Sequence, residues 1–226
     1  MKSIVLLSAG LDSTVNLYHA MSESTIARVL TFNYGQKAAQ KEIEKASEIC
    51  RLNGLSHTII DLPWFKEMMG QSSLIDQNQS IPVGSSVSID NILISQKTAK
   101  SVWVPNRNGI FLNIAAGFAE SLNADTVIPG FNLEEAQTFP DNSQCFMSAL
   151  DHAFSFSTAN HVKVKCYTVS LTKSEIVKQG VLLKVPFDKI WPCYFNLDQW
   201  CGECESCLRS KRAFSDNKLS VNQFVK

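Results

Sequence analysis

The apolar run Ile4-Val5-Leu6-Leu7 passes without a linker into Ser8-Ala9-Gly10-Leu11-Asp12-Ser13-Thr14, and a helical pattern follows at once. A strand that turns directly into a helix leaves the first backbone N–H groups of that helix without partners, beside the positive end of its dipole. Such a turn is a pocket for phosphate oxygens, to which Ser8 and Ser13 add hydroxyl donors. Gly10 allows close backbone approach, and Asp12 can cap the helix or coordinate Mg²⁺. The segment has neither a G-x-x-x-x-G-K-[ST] nor a G-x-G-x-x-G pattern, so the ordinary P-loop and the dinucleotide fingerprint are both excluded.

The same rhythm continues through the first half of the chain. Short apolar runs at 3–8, 27–33, 57–61, 126–129 and 162–169 alternate with helical patterns at 13–21, 36–53, 110–122 and around 146–154. This alternation predicts an α/β fold, doubly wound, with a mainly parallel five-stranded sheet. Two stretches break the rhythm. Residues 69–101 are rich in Ser, Gln and Asn with weak periodicity, which predicts a long polar insert, either a lid or a partly disordered loop. Beyond residue 180 the pattern becomes irregular. The expected organisation is therefore a nucleotide-binding α/β domain over 1–180 and a small C-terminal metal-binding segment over 181–226.

That last segment carries Cys193, Cys201, Cys204 and Cys207, four of the seven cysteines. The spacing C-x7-C-x2-C-x2-C places two thiolates on a tight turn, a third at a helix start and a fourth on a loop. This suits a tetrahedral structural Zn²⁺ with no open position for water, and Gly202 lets the turn tighten. An iron–sulfur cluster is the rival occupant, because C-x2-C-x2-C also occurs in cluster ligation. The other three cysteines read as small apolar packing residues.

Composition narrows the function. Lys plus Arg and Asp plus Glu number 21 each among 226 residues, so the net charge is zero. A neutral chain lacks the positive field that draws proteins to nucleic acid or to an anionic membrane. No apolar stretch is long enough to span a bilayer, and the opening apolar run is too short for a signal peptide. The expectation is a cytoplasmic protein with reduced thiols.

Ser-x-Gly-x-Asp-Ser after a first strand resembles the PP-loop of the N-type ATP pyrophosphatases, and so implies an adenine nucleotide alpha-hydrolase-like fold. Ala9 stands where that loop commonly has Gly. A positive φ would strain Ala by roughly 1 kcal/mol, so a negative φ is expected there. Further segments agree: Phe32-Asn33-Tyr34-Gly35-Gln36, Val104-Pro105-Asn106-Arg107-Asn108, Gly130-Phe131-Asn132-Leu133-Glu134-Glu135-Ala136, Thr138-Phe139-Pro140-Asp141-Asn142 and Leu171-Thr172-Lys173-Ser174-Glu175-Ile176. In this order, and with the four cysteines, they resemble the 7-cyano-7-deazaguanine synthases of queuosine biosynthesis from Ser8 to about Arg212. Asn106 replaces a frequent Gly in that resemblance, and Asn tolerates the left-handed region.

The resemblance implies an ATP-dependent carbon–nitrogen ligase that adenylates 7-carboxy-7-deazaguanine, admits ammonia, adenylates the amide and releases the nitrile. It implies Ser8, Ala9, Gly10, Leu11, Asp12, Ser13 and Thr14 around the ATP phosphates, with Phe32 and Tyr34 beside adenosine. Asp12, Ser13 and Lys173 are the expected catalytic groups. Arg107 and Asn108 are expected at phosphate or substrate. Asn132, Glu134, Phe139 and Asp141 are expected to read or stack on the guanine-like ring. Thr172-x-x-Glu175 also reads as a capping box, which would leave Lys173 merely exposed. ATP with Mg²⁺ as co-substrate, one Zn²⁺ per chain and a homodimer complete the implied picture. The alternatives are a tRNA sulfur-inserting enzyme of the same superfamily, a deazaguanine ligase that stops at the amide or acts on a protein amine, and a non-catalytic nucleotide-binding module.

Overall fold

A computed structural model describes residues 1–68 and 71–225. Among them five strands form one parallel sheet in the order β3-β2-β1-β4-β5, with β1 at Lys2–Leu6, β2 at Thr25–Asn33, β3 at His57–Asp61, β4 at Thr126–Ile128 and β5 at Lys163–Val164. The helices are α1 (Leu11–Glu23), α2 (Ala39–Leu52), α3 (Trp64–Met68), α4 (Ile92–Val102), α5 (Arg107–Ser121), α6 (Leu133–Ala136), α7 (Gln144–Ser157), α8 (Lys173–Leu182) and α9 (Glu205–Asp216).

Successive strand residues point to opposite faces, and both faces are dry. Ile4, Leu30 and Val127 belong to one core, shared with Leu112, Ala115 and Ala116 of α5. Their neighbours Val5, Val29 and Ile128 belong to the other core, with Leu17 and Ala20 of α1 and Ala46 and Ile49 of α2. A strand buried on both sides reads as a continuous apolar run, which is the pattern at residues 4–7. The chain winds from β1 to β2 and β3 on one side, then returns to β4 and β5 on the other. The reversal lies between β1 and β4, and in such sheets the ligand crevice opens at the carboxyl ends of the strands there.

The two turns at this reversal touch. A Cβ on Gly130, just after β4, would lie 2.6 Å from the Cα and N of Ser13 in the first turn of α1. Glycine at 130 therefore sets how closely the two halves approach beneath the crevice.

Several expectations are corrected. The fifth strand is two residues long, not 162–169. After Lys165 N–H bonds to Val127 O at 3.0 Å, the Thr168 hydroxyl turns inward to Phe131 O at 2.5 Å and ends the ladder. The polar insert begins with Met69 and Gly70, which lie outside the described residues, but most of the rest is fixed. It contains α4, whose N-cap Asn91 accepts the amides of Leu93 and Ile94 at 3.1 and 3.2 Å. The buried face of α4 includes Ser95 and Thr98, which hydrogen-bond the Glu205 carboxylate of α9 at 3.3 and 2.7 Å. A helix that buries hydroxyls against a carboxylate shows little apolar periodicity, so its sequence reads as a polar loop. Val83 also bridges to Cys204. The C-terminal segment does not build a separate core. Trp191, Trp200, Ala213 and Phe214 join the same cluster as α5.

Gly130→Ala forces the loop after β1 away from β4. It is expected to lower unfolding free energy by about 1–3 kcal/mol, measurable by urea denaturation.

Candidate active site

The loop after β1 is ordered by its own side chains. Ser8 Oγ and Ser13 Oγ lie 3.2 Å apart, and the Ser13 hydroxyl donates to Gly10 O at 3.2 Å. The first bond of α1 runs from Thr14 N–H to Gly10 O at 3.1 Å. The amides of Leu11, Asp12 and Ser13 are thereby left at the helix mouth without an intrahelical acceptor. Ala9 has φ of +59°, so the expected negative φ is wrong. The left-handed turn, a strain of order 1 kcal/mol, lets Ala9 O accept the Trp191 amide at 2.7 Å and buries the Ala9 methyl in the α1–α2 core.

Asn16, fully buried one turn further on, fixes this end of α1. Its Nδ2 donates to Asp12 O at 2.9 Å and to Thr168 Oγ1 at 2.5 Å, and its Oδ1 accepts Tyr167 N–H at 2.8 Å.

Opposite the helix mouth sits Lys173, on the first turn of α8 and only 3% exposed. A cation at a helix N-terminus opposes the dipole, so another interaction must hold it there. Its Nζ pairs with Asp12 Oδ2 and with Glu135 Oε1 at 2.8 Å. The Thr172–Glu175 capping box also forms, but Lys173 is not exposed: one turn carries both features. Asp12 Oδ2 accepts Asn132 Nδ2 at 3.3 Å, while its Oδ1 is buried with no partner among the described residues. Burial pushes the Asp12 carboxyl up to about 6, against the pull of Lys173, with Glu135 and Glu134 pushing the same way as burial. Glu135 is held below the usual carboxylate range despite its burial, chiefly by Lys173.

These groups line one end of a cavity of about 240 Å³ that runs on toward α9. Its other wall carries Arg107, at the start of α5. The preceding Asn106 adopts the expected left-handed conformation, φ +50°. Among the described residues, the one side-chain hydrogen bond of Arg107 runs from Nη1 to Tyr34 Oη at 3.2 Å, leaving most of a five-donor fork for a ligand. Burial raises the Asp141 carboxyl, which the neighbouring Arg107 partly offsets. Trp103 and Phe139 stack nearby, centroids 5.9 Å apart and planes within 6°.

The cavity thus gathers Ser8, Gly10, Leu11, Asp12, Ser13, Phe32, Tyr34, Arg107, Asn108, Phe139, Asp141 and Lys173. Four expected residues do not line it. Ala9 faces the core, and Thr14 spends its hydroxyl on Gly10 O at 2.8 Å. Asn132 is fully buried, supporting Asp12 and accepting Glu135 N–H at 2.9 Å. Glu134 turns away from the cavity to Arg209 and Arg212, at 3.0 and 2.5 Å; its neighbour Glu135 faces in. Glu135 lies in a segment that carries the resemblance but is not singled out there beside Glu134, and Trp103 belongs to no diagnostic spacing. Glu42 reaches the cavity from α2, accepts Gln36 Nε2 at 2.8 Å, and is raised by burial to about 7.

The four clustered thiols converge as expected, with their Sγ atoms all within 4.8 Å of one another. Cys204 caps α9 and Cys207 lies in its first turn, while Gly202 makes the turn with φ +73°. The amides of Cys201 and Cys204 donate to the sulfurs of Cys193 and Cys201, each at 3.3 Å, the kind of support that holds thiolate ligands in place. The quartet suits one tetrahedral metal ion. Of the remaining cysteines, Cys50 is buried in one core and Cys166 packs, partly buried, against the other, 3.5 Å from Asn16 Oδ1; Cys145 is exposed and does not pack as expected.

The family described as "Queuosine biosynthesis protein QueC" matches residues 2–218. A 7-cyano-7-deazaguanine synthase of Bdellovibrio bacteriovorus is 57% identical over 226 residues, covering 100% of this chain and 97% of that protein. Among solved structures, NMN synthetase from Francisella tularensis is similar with a TM-score of 0.50 at 14% identity, over 97% of this chain and 78% of that one. A 4-thiouridine synthetase in an RNA complex with bound ATP gives 0.51 at 18%, over 83% and 42%. At these identities the likeness is one of fold. Among the described residues no helix is long and apolar enough to cross a membrane.

Carboxyl-directed NMR titration of the free protein is expected to place Asp12 at about 6. Lys173→Met removes the ammonium that opposes burial, and the midpoint moves upward.

Proposed function

Because the chain belongs to the QueC family of queuosine biosynthesis proteins, we propose that this cavity converts 7-carboxy-7-deazaguanine and ammonia into 7-cyano-7-deazaguanine, with two ATP consumed in turn. A carboxylate oxygen is a poor leaving group at neutral pH, and adenylation makes it a good one. One carboxylate oxygen attacks the α-phosphorus of ATP and pyrophosphate leaves. Ammonia then adds to the acyl carbon, a proton is lost, and AMP departs with the original oxygen, giving the amide. The amide oxygen attacks the α-phosphorus of a second ATP and a second pyrophosphate leaves. Loss of AMP and of both nitrogen protons leaves the nitrile.

Such a reaction asks for positioning and charge stabilisation at phosphorus. The amides of Leu11, Asp12 and Ser13, with the Ser8 and Ser13 hydroxyls, receive the phosphates. Lys173 neutralises charge on the transferring phosphoryl group while Glu135 keeps its ammonium in place. Phe32 and Tyr34 border adenosine. Arg107 presents its free fork to phosphate or to the substrate carboxylate, Phe139 and Trp103 flank the heterocycle, and Asn108 and Asp141 face its polar edge. Mg²⁺ would screen the phosphate charge, and the unpartnered Oδ1 of Asp12 would fit it. Cys193, Cys201, Cys204 and Cys207 would hold Zn²⁺, which would fasten the start of α9.

The observation that carries this reading is the buried Asp12, with an orphan oxygen and a lysine partner, at a helix mouth that shares a cavity with Arg107 and an aromatic pair. The sulfur-inserting alternative finds no support in the cysteines, whose cluster closes on one point. The zero net charge supports small-molecule substrates over RNA. A cytoplasmic homodimer completes the proposal.

Incubation with ATP, Mg²⁺, ammonium and 7-carboxy-7-deazaguanine is expected to yield the nitrile with two AMP formed per product, read by mass spectrometry. Accumulation of the amide alone would support the shorter reaction. Lys173→Ala is expected to reduce kcat by roughly 100-fold or more. Metal analysis of protein purified without chelators is expected to find one zinc per chain, lost in Cys204→Ala together with thermal stability.

A further inference from the structure

Glu134 stands beside the cavity residue Glu135 but points the other way, into a buried polar network. Its Oε1 accepts the backbone N–H of Lys173 at 2.9 Å. Its Oε2 accepts Nη1 of Arg209 at 3.0 Å and Nη2 of Arg212 at 2.5 Å. Arg209 is 8% exposed and is itself held on three sides. Its Nε and Nη2 donate to Glu205 Oε1 at 3.1 and 2.8 Å, and Nη2 also donates to Ser95 Oγ at 3.0 Å. Thr98 Oγ1 closes the set on Glu205 Oε2 at 2.7 Å. One carboxylate therefore joins the first turn of α8 to α9 and, through α9, to α4.

Placement explains why this joint matters. The amide of Lys173 lies at the free N-terminus of α8, where the helix supplies no acceptor, and residues at helix ends shift most easily. The Lys173 side chain must nonetheless put its ammonium within bonding reach of both Asp12 and Glu135, and small misplacements of a catalytic group are costly. Glu134 fixes the backbone at the root of that side chain. A doubly charged partner, Arg209 with Arg212, fixes Glu134 in turn, and charge-assisted bonds of this kind are the strong ones.

We propose that Glu134 is a positioning residue: by tying the Lys173 amide to Arg209 on α9, it holds the Lys173 ammonium against Asp12 and the transferring phosphoryl group. The proposal rests on the role given above to Lys173, and it replaces the expectation that Glu134 contacts the heterocycle. A residue acting this way affects turnover more than ligand affinity.

The test compares Glu134→Ala and Glu134→Gln with the natural protein, at equal zinc content and with thermal stability recorded. Glu134→Ala is expected to lower kcat at least tenfold and to change the apparent affinity for ATP less than threefold. Glu134→Gln keeps an oxygen for the Lys173 amide but loses the charge facing the arginines, and should recover part of the lost kcat. A loss of kcat matched by an equal loss of ATP affinity, or a weakening confined to the affinity for the deazaguanine acid, would overturn the proposal, since that pattern belongs to general weakening or to substrate contact. If Glu134→Ala does not fold, Glu134→Gln decides alone: full kcat refutes the tether. Lys173→Ala separates the two levels. Full turnover in that variant removes the role of Lys173 and the tether with it, whereas inactive Lys173→Ala beside unaffected Glu134 variants removes the tether only.

Discussion

Everything in the site is arranged around a buried lysine facing two carboxylates across the mouth of a helix. Lys173, Asp12 and Glu135 come from three separate elements, α8, α1 and α6, and removing the lysine would leave the buried Asp12 carboxylate facing a second one without its cation. Breaking such a pair costs on the order of 3–5 kcal/mol. Its retention in a site that favours anions is understandable if the charges are kept for a ligand. The helix mouth offers amides, the ammonium offers a fixed positive charge, and the spare oxygen of Asp12 offers a place for a cation. These are the elements that the proposed attack on the α-phosphorus of ATP would use.

The surrounding architecture makes this arrangement possible. The sheet reverses its winding between β1 and β4, which opens the crevice, and Gly130 lets the two turns meet closely enough to close its floor. Asn16 and Asn132, both fully buried, tie the first turn of α1 to the segments that follow β5 and β4. The cysteine quartet gathers at the start of α9, and α9 carries Arg209 and Glu205. The polar insert contributes α4 to the same network. The C-terminal segment and the insert thus act as the wall against which α6 and α8 are placed.

The parts legible in the sequence are those whose logic is local. A strand buried on both faces shows as Ile4-Val5-Leu6-Leu7, a helix mouth as Ser8 to Thr14, and a metal quartet as four closely spaced cysteines. The parts that were not legible depend on what a residue meets across the fold. Ala9 takes a positive φ because Trp191, some 180 residues away, needs its carbonyl. The helix α4 gives no apolar stripe because its buried side faces Glu205 with hydroxyls instead of aliphatic groups. Adjacent glutamates at 134 and 135 look equivalent in sequence, and only the orientation of α6 sends one into the cavity and the other to α9. Glu42 and Trp103 enter the cavity from positions that no short motif marks.

The central claim, that one cavity adenylates both oxygens of the substrate in succession, is tested most directly by following those atoms. With 7-carboxy-7-deazaguanine carrying ¹⁸O at both carboxylate positions, each of the two AMP molecules released per nitrile should contain one ¹⁸O, and pyrophosphate none. Label appearing in inorganic phosphate, or AMP free of label while nitrile forms, would contradict the account.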